Sequence, residues 1–258
     1  MAEKTRLNLY VQALSEVSFI SLESKNNEDI TKWAFAVVNT RCFEMPNGDY
    51  YIAPMADYFN HGGYEVDVYI TFDGEENCYA YSVRDLPAGS PLRISYGDST
   101  NPSKLLAKYG FLDDSCPASY CKYIIDGPDQ MVKNMGYPDQ MVFYVDGSIS
   151  ESVWDILLYQ ELGKVSFDQQ AFYQAWMNGD EATKQSYHQQ YFPQTLAELQ
   201  KHVNFLVNEL DELEIGADTQ MRLGKDSTRH PRLPLLMRHN AWVKNIFELV
   251  QANLDSMG

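Results

Sequence analysis

The sequence predicts an α+β fold in its first part, joined to an all-α second part. Three observations carry this. Apolar residues recur at helical spacing from Asn27 to Arg41, through Ile30, Trp33, Ala34, Val37 and Val38. Short alternating runs rich in β-branched and aromatic residues follow, separated by Gly-containing turns, as far as Tyr96. Beyond about residue 148 the pattern turns almost wholly helical, and no internal repeat or low-complexity tract interrupts it.

Taken in order, the N-terminal stretch MAEKTRLNLYVQALSEV is amphipathic and mixed in charge, without the apolar core of a secretory signal. After the Asn27–Arg41 helix, Asn47-Gly48 marks a turn. Tyr64 to Phe72 and Cys78 to Val83 read as a hairpin broken at Asp73-Gly74. The turn DLPAGSP leads into a strand from Leu92 to Ser95. Asn101 suits a helix cap and Pro102 the first helical position; Leu105, Leu106 and Tyr109 follow, and Gly110 ends the helix. Ser148-x-x-Glu151 and Ser166-x-x-Gln169 fit the capping box, for helices ending near Gly163 and Gly179. From Leu196 the residues Leu199, Val203, Leu206, Leu210 and Leu213 form one apolar seam, expected as bundle core, and a last helix runs from about Leu235 to Leu254.

Composition narrows the function. With 258 residues and 45% of them hydrophobic, the chain can bury one large core or two modest ones. A formal net charge of −16 argues against phosphate-driven nucleic-acid binding, so no nucleic-acid partner is expected. No apolar run reaches bilayer length, so no membrane partner is expected. Cys42, Cys78, Cys116 and Cys121 are scattered like reduced thiols and lack zinc-type spacing; no metal site is expected. These features together suggest a soluble intracellular protein, placed in the cytoplasm with plastid or nucleus as other compartments.

Chemistry concentrates in three stretches. Asp57-Tyr58-Phe59-Asn60-His61, before Gly62-Gly63, offers carboxylate, amide and imidazole beside a backbone free to bend. Arg93-Ile94-Ser95-Tyr96-Gly97 can place a phenol at a strand end, and Lys108-Tyr109-Gly110-Phe111 sets aromatics around a helix terminus. On residue types alone the plainer accounts are favoured: a turn, a core aromatic and a helix C-cap.

The combination reads differently. Asp-x-x-Asn-His, a hairpin, Pro-Ala-Gly, Ser-Tyr-Gly, Leu-Leu and Tyr-Gly-Phe, in that order, resemble the C-terminal half of SET-domain protein methyltransferases. The resemblance is to the Rubisco large-subunit and histone-lysine methyltransferase-like subgroup. Trp33 through Arg41-Cys42-Phe43 is similar to the Trp-containing helix preceding that motif. Pro231-Arg232-Leu233-Pro234 with Arg238 to Lys244 is similar to the subgroup's last helix. The resemblance implies residues 1–114 as the insert helices and C-terminal half of a β-rich SET fold, and residues 115–258 as a helical substrate-binding domain.

The implied activity is protein-lysine N-methylation with S-adenosyl-L-methionine as cofactor and a protein lysine side chain as acceptor. Tyr96 matches the catalytic tyrosine facing the transferring methyl group. Asn60 and His61 match contacts to the cofactor, Arg41 and Asp57 match residues lining the same site, Tyr109 an aromatic beside cofactor and lysine channel, and Phe111 the adenine side. A free lysine, with a pKa of about 10.4, is mostly protonated at neutral pH, and an aromatic-walled channel disfavours the ammonium by desolvation. Alignment then supplies much of the rate.

The sequence departs from the family in lacking a Gly-x-Gly motif, so the N-terminal part of the SET domain is expected to be missing. Three accounts follow: a fragment of a longer protein, half of a split enzyme whose N-terminal SET segment lies on another chain, or a non-catalytic interaction module with a remnant SET domain. Histidine is an alternative acceptor. The acidic run Glu209, Asp211, Glu212 and Glu214 is expected as a solvated face, with docking of a basic substrate as the alternative.

Overall fold

The computed structural model describes residues 2–45, 47–63, 65–75, 77–97, 102–163, 165–222 and 231–258. They form two compact units, Met1–Cys116 and Pro117–Gly258.

The first unit opens with α1 (Ala2–Glu16), α2 (Leu22–Asn26) and α3 (Glu28–Arg41). Asn27 caps α3, its side chain accepting from the Ile30 amide at 3.1 Å, and Glu28 and Asp29 complement the dipole at the same end. The expected helix therefore forms, but its apolar residues do not build a core: Ile30 is 48% and Trp33 68% exposed. Strand β1 (Cys42–Glu44) pairs antiparallel with β2 (Tyr50–Ile52), and Gly48 takes φ +85° in the turn between them. A 3-10 turn (Ala56–Tyr58) delivers the chain to β3 (Asn60–His61).

The hairpin pairs β4 (Val68–Phe72) with β5 (Cys78–Ser82), from Val68 opposite Ser82 to Phe72 opposite Cys78. It is shorter than its sequence pattern. Tyr64 lies outside the described residues, and Asp67, just before β4, still accepts from the Val83 amide at 3.0 Å while its buried carboxylate pairs with Arg84 and Arg93 at 2.7 Å each. The strand expected over Leu92–Ser95 narrows to β6 (Arg93–Ile94), which runs parallel to β3 with His61 opposite Ile94. Helix α4 (Pro102–Tyr109) ends at Gly110, whose φ of +78° lets its amide reach back to the Leu106 carbonyl at 3.0 Å. The Asn101 cap lies outside the described residues.

The second unit is not all-α. It begins with β7 (Ala118–Tyr120), which pairs antiparallel across α5 (Gln130–Asn134) with β8 (Val142–Tyr144). Three residues per strand are too few for alternation to show in sequence. Then come α6 (Glu151–Leu162), α7 (Ser166–Asn178), α8 (Glu181–Arg222) and α9 (Leu233–Asp255). Their core is apolar and rich in aromatic rings: Phe143, Phe172 and Phe247 are fully buried with Leu158, Leu199 and Val203.

The Ser148 capping box does not form, and the Ser166 side chain lies outside the described residues. Ser150 precedes α6, its hydroxyl donating to the Gln140 carbonyl, while Ser148 is taken by Asp146. Val165 precedes α7, and Gln169 donates to the Tyr159 carbonyl of α6. The long helix starts at Glu181, fifteen residues before Leu196, and runs through Pro193. Of its seam, Leu196, Leu199, Val203 and Leu210 are buried, but Leu213 is 57% exposed. Among the described residues no helix is long and apolar enough to cross a membrane.

Candidate active site

The parallel contact of β3 with β6 brings the first two chemical stretches together, and α4 brings the third. Asn60 and His61 occupy β3, Tyr96 lies two residues beyond β6, Tyr109 is the last residue of α4, and Phe111 follows Gly110. With Thr40 and Arg41 at the end of α3, they line one cleft of about 400 Å³. Asp57 lines a neighbouring cleft of about 580 Å³, which shares Arg41, Tyr96 and Tyr109 with the first.

Four rings form the wall. Tyr96 lies 4.8 Å from Tyr109 and 5.4 Å from His61, centroid to centroid, and His61 lies 5.5 Å from Phe111. The Tyr96 hydroxyl donates to the Phe59 carbonyl at 2.7 Å, and the Tyr109 hydroxyl donates to the Tyr96 carbonyl at 3.2 Å. Burial raises the Tyr96 phenol above its ordinary value, against a smaller downward pull from Arg41, and burial raises Tyr109 likewise. Both phenols are therefore neutral donors at physiological pH. Arg41 donates to Asp57 Oδ1 at 3.1 Å, and both residues of this ion pair line the larger cleft.

His61 is held at both nitrogens. The Tyr96 amide faces Nδ1 at 3.2 Å and Asp113 Oδ2 faces Nε2 at 3.1 Å, so the partners at both ends fit a ring proton on Nε2. Burial works against the ionised form of Asp113, but hydrogen bonds from the Ser115 hydroxyl and amide and from His61 outweigh it, so its carboxyl lies below the ordinary carboxylate range. Asp113 was not among the residues singled out from the sequence. Its local signal is an Asp-x-Ser turn, in which Asp113 Oδ1 accepts from the Ser115 amide at 2.9 Å. Among the described residues no group of three or more His, Cys, Asp or Glu is arranged to hold a metal ion.

No protein-family model matches the sequence, and no curated protein matches it. Among solved structures the chain is similar to the SET domain of LSMT bound to lysine and AdoHcy, with a TM-score of 0.56 and 14% sequence identity. The match covers 99% of this chain, which spans only 62% of that one. At this identity the likeness speaks to architecture alone: the chain has a SET-like, α+β fold.

Proposed function

We propose that this chain is part of a SET-type protein-lysine N-methyltransferase that uses S-adenosylmethionine. One observation carries the reading: two clefts share Tyr96 and Tyr109, and the Tyr96 hydroxyl is fixed at their common wall by the Phe59 carbonyl. One cleft suits a cofactor and the other an acceptor side chain.

The residues of the smaller cleft fit the cofactor. His61 and Phe111 present ring surface suited to a purine, and the exposed Asn60 amide offers both donor and acceptor groups to an amino acid moiety. When bound, S-adenosylmethionine supplies an electrophilic methyl group. Tyr96 spends its only proton on Phe59, so its oxygen can only accept, and an incoming amine N–H is the donor it can orient. The surrounding rings exclude water and disfavour an ammonium, so lysine sheds its proton to solvent before it is aligned.

Two further parts belong to this reading. Residues 1–116 leave Trp33, Ile52, Tyr69 and Tyr81 more than half exposed, which supports completion of the first unit by a further β-forming segment, on this polypeptide or another. The second unit is the substrate-binding domain. Its groove of about 720 Å³ between α8 and α9, lined by Leu210, Leu213, Leu236 and Met237 and edged by Glu212 and Glu214, suits a basic amphipathic segment of the substrate.

Calorimetric titration of S-adenosylhomocysteine tests the reading. Saturable binding is expected, weakened in Asn60→Ala and kept in Tyr96→Phe. With a lysine peptide as acceptor, Tyr96→Phe should transfer methyl groups about a hundredfold more slowly. Absence of both binding and transfer, with the missing segment supplied, would sink it.

A further inference from the structure

We propose that Asp113 is a positioning residue that sets the tautomer of His61, and through it the place of Tyr96. The bonds form a chain: Ser115 hydroxyl to Asp113 Oδ1 at 2.6 Å, His61 Nε2 to Asp113 Oδ2 at 3.1 Å, and the Tyr96 amide to His61 Nδ1 at 3.2 Å.

A neutral imidazole has one donor and one acceptor nitrogen, so the partner at one end decides what the other end can do. A carboxylate can only accept, so it holds the proton on Nε2. Nδ1 is then left with a lone pair, and a backbone amide is the partner that lone pair fits. With the proton on Nδ1, the Tyr96 amide would face another N–H, and the strand end carrying the phenol would have to move.

The surroundings are built to hold this carboxylate. His61 and Asp113 are nearly buried, their side chains 6% and 12% exposed. Two hydrogen bonds from Ser115, amide and hydroxyl, fix the same carboxylate oxygen, leaving the other for the imidazole. Gly63 completes the fit. At its φ of +59° a β-carbon would stand 2.6 Å from the Ser115 hydroxyl and 2.8 Å from Asp113 Oδ2, so a side chain there would displace the carboxylate. His61 stands beside Tyr96 and Phe111 in the smaller cleft, so a rotated imidazole would change both the cofactor wall and the phenol.

The structural half of this proposal stands by itself; its consequence for ligand binding rests on the function proposed above. Long-range proton–nitrogen correlation spectra of the intact chain separate them, with the His61 signals assigned by their loss in His61→Gln. The wild-type protein is expected to show a protonated Nε2 and an unprotonated Nδ1. Asp113→Ala should shift His61 toward the Nδ1–H form and move the Tyr96 amide resonance. Asp113→Asn, which keeps an acceptor oxygen, should retain part of the Nε2–H signature. S-adenosylhomocysteine should bind on the order of tenfold more weakly to Asp113→Ala. A proton on Nδ1 in the wild type overturns the proposal without reference to any variant, and a tautomer indifferent to Asp113→Ala in a variant whose other amide resonances stay in place overturns it as well. The tautomer shift in a chain that never binds S-adenosylhomocysteine, even with the completing segment, would leave Asp113 its positioning role and remove the methyltransferase reading.

Discussion

At the scale of single residues, buried charge is handled by pairing, and the second unit holds the clearest case. Lys184 is 6% exposed, yet it lies 3.1 Å from Asp155 Oδ2 and is also bonded to Glu151. His188 takes the other Asp155 oxygen at 2.7 Å. Burial works to lower the Lys184 ammonium, but its bonds to Glu151 and Asp155 outweigh this and raise it above its ordinary value. Removing the buried anion leaves the cation with Glu151 and Glu181, whose side chains are 71% and 75% exposed. Asp155→Ala should therefore destabilise the protein by about 3 kcal/mol, seen as a lower urea midpoint. The linkage has a definite sign. A raised folded value stabilises fully below the unfolded lysine value, and this contribution is lost as pH rises through the folded one. The gap between wild type and Asp155→Ala should narrow at strongly alkaline pH; a gap constant across that range would mean that the ion pair is not its source. Residue-scale legibility was uneven in the same way. Asn60, His61, Tyr96, Tyr109 and Phe111 sit in short local motifs, whereas the His61–Asp113 contact spans 52 positions and Asp67 with Arg93 spans 26. No local spacing rule reaches that far.

Elements were legible where one local signal decided them. Asn27 begins α3 and Gly110 ends α4, because a side-chain acceptor and a left-handed glycine each act on the backbone within a few positions. Where signals competed, packing decided. Pro193 lacks the amide that would bond the preceding turn, yet α8 passes through it. The helix has already started with a better cap: Asp180 accepts from the Thr183 amide at 3.1 Å and from its hydroxyl at 2.7 Å. Leu196 and Leu199 beyond the proline are buried in the core and hold the continuation in place. The Thr183 bonds hold the Asp180 carboxyl below its ordinary range. Its contribution is then present above the unfolded carboxylate value and is lost as pH falls through the folded one. Asp180→Ala should lower the melting temperature by about 3 °C near neutrality, and less in strong acid, measured by circular dichroism. No change in either condition would show that the N-terminal turn of α8 is held by packing alone.

At the scale of the whole molecule, the two units differ in how much of their apolar surface they bury. The second carries a continuous core through α6, α7, α8 and α9, with Phe143 and Phe247 edge to face at 5.4 Å. Among the described residues of the first, the buried apolar groups are few, chiefly Met45, Ala53, Ala56, Val68, Ile94 and Leu105, and every residue of β5 is exposed. This asymmetry was only half legible. The seam of α8 announces a bundle, but the α3 stripe announces a core just as plainly, and sequence periodicity cannot say whether a partner surface exists to cover it. Local stability should follow burial, because opening a segment costs what its contacts contribute. In hydrogen exchange of the intact chain, amides of Val153–Leu162, Leu199–Val207 and Val243–Leu254 should exchange slowest, near the global unfolding limit. Those of β3, β5 and β6 should exchange orders of magnitude faster, since short ladders over little buried surface open without the rest. Under the function proposed above, saturating S-adenosylhomocysteine should slow β3 and β6 selectively, because a ligand that binds only the closed cleft adds its binding energy to that local opening. Equal protection of both units without ligand would mean that the first unit is held by contacts its burial does not reveal and needs no completing segment.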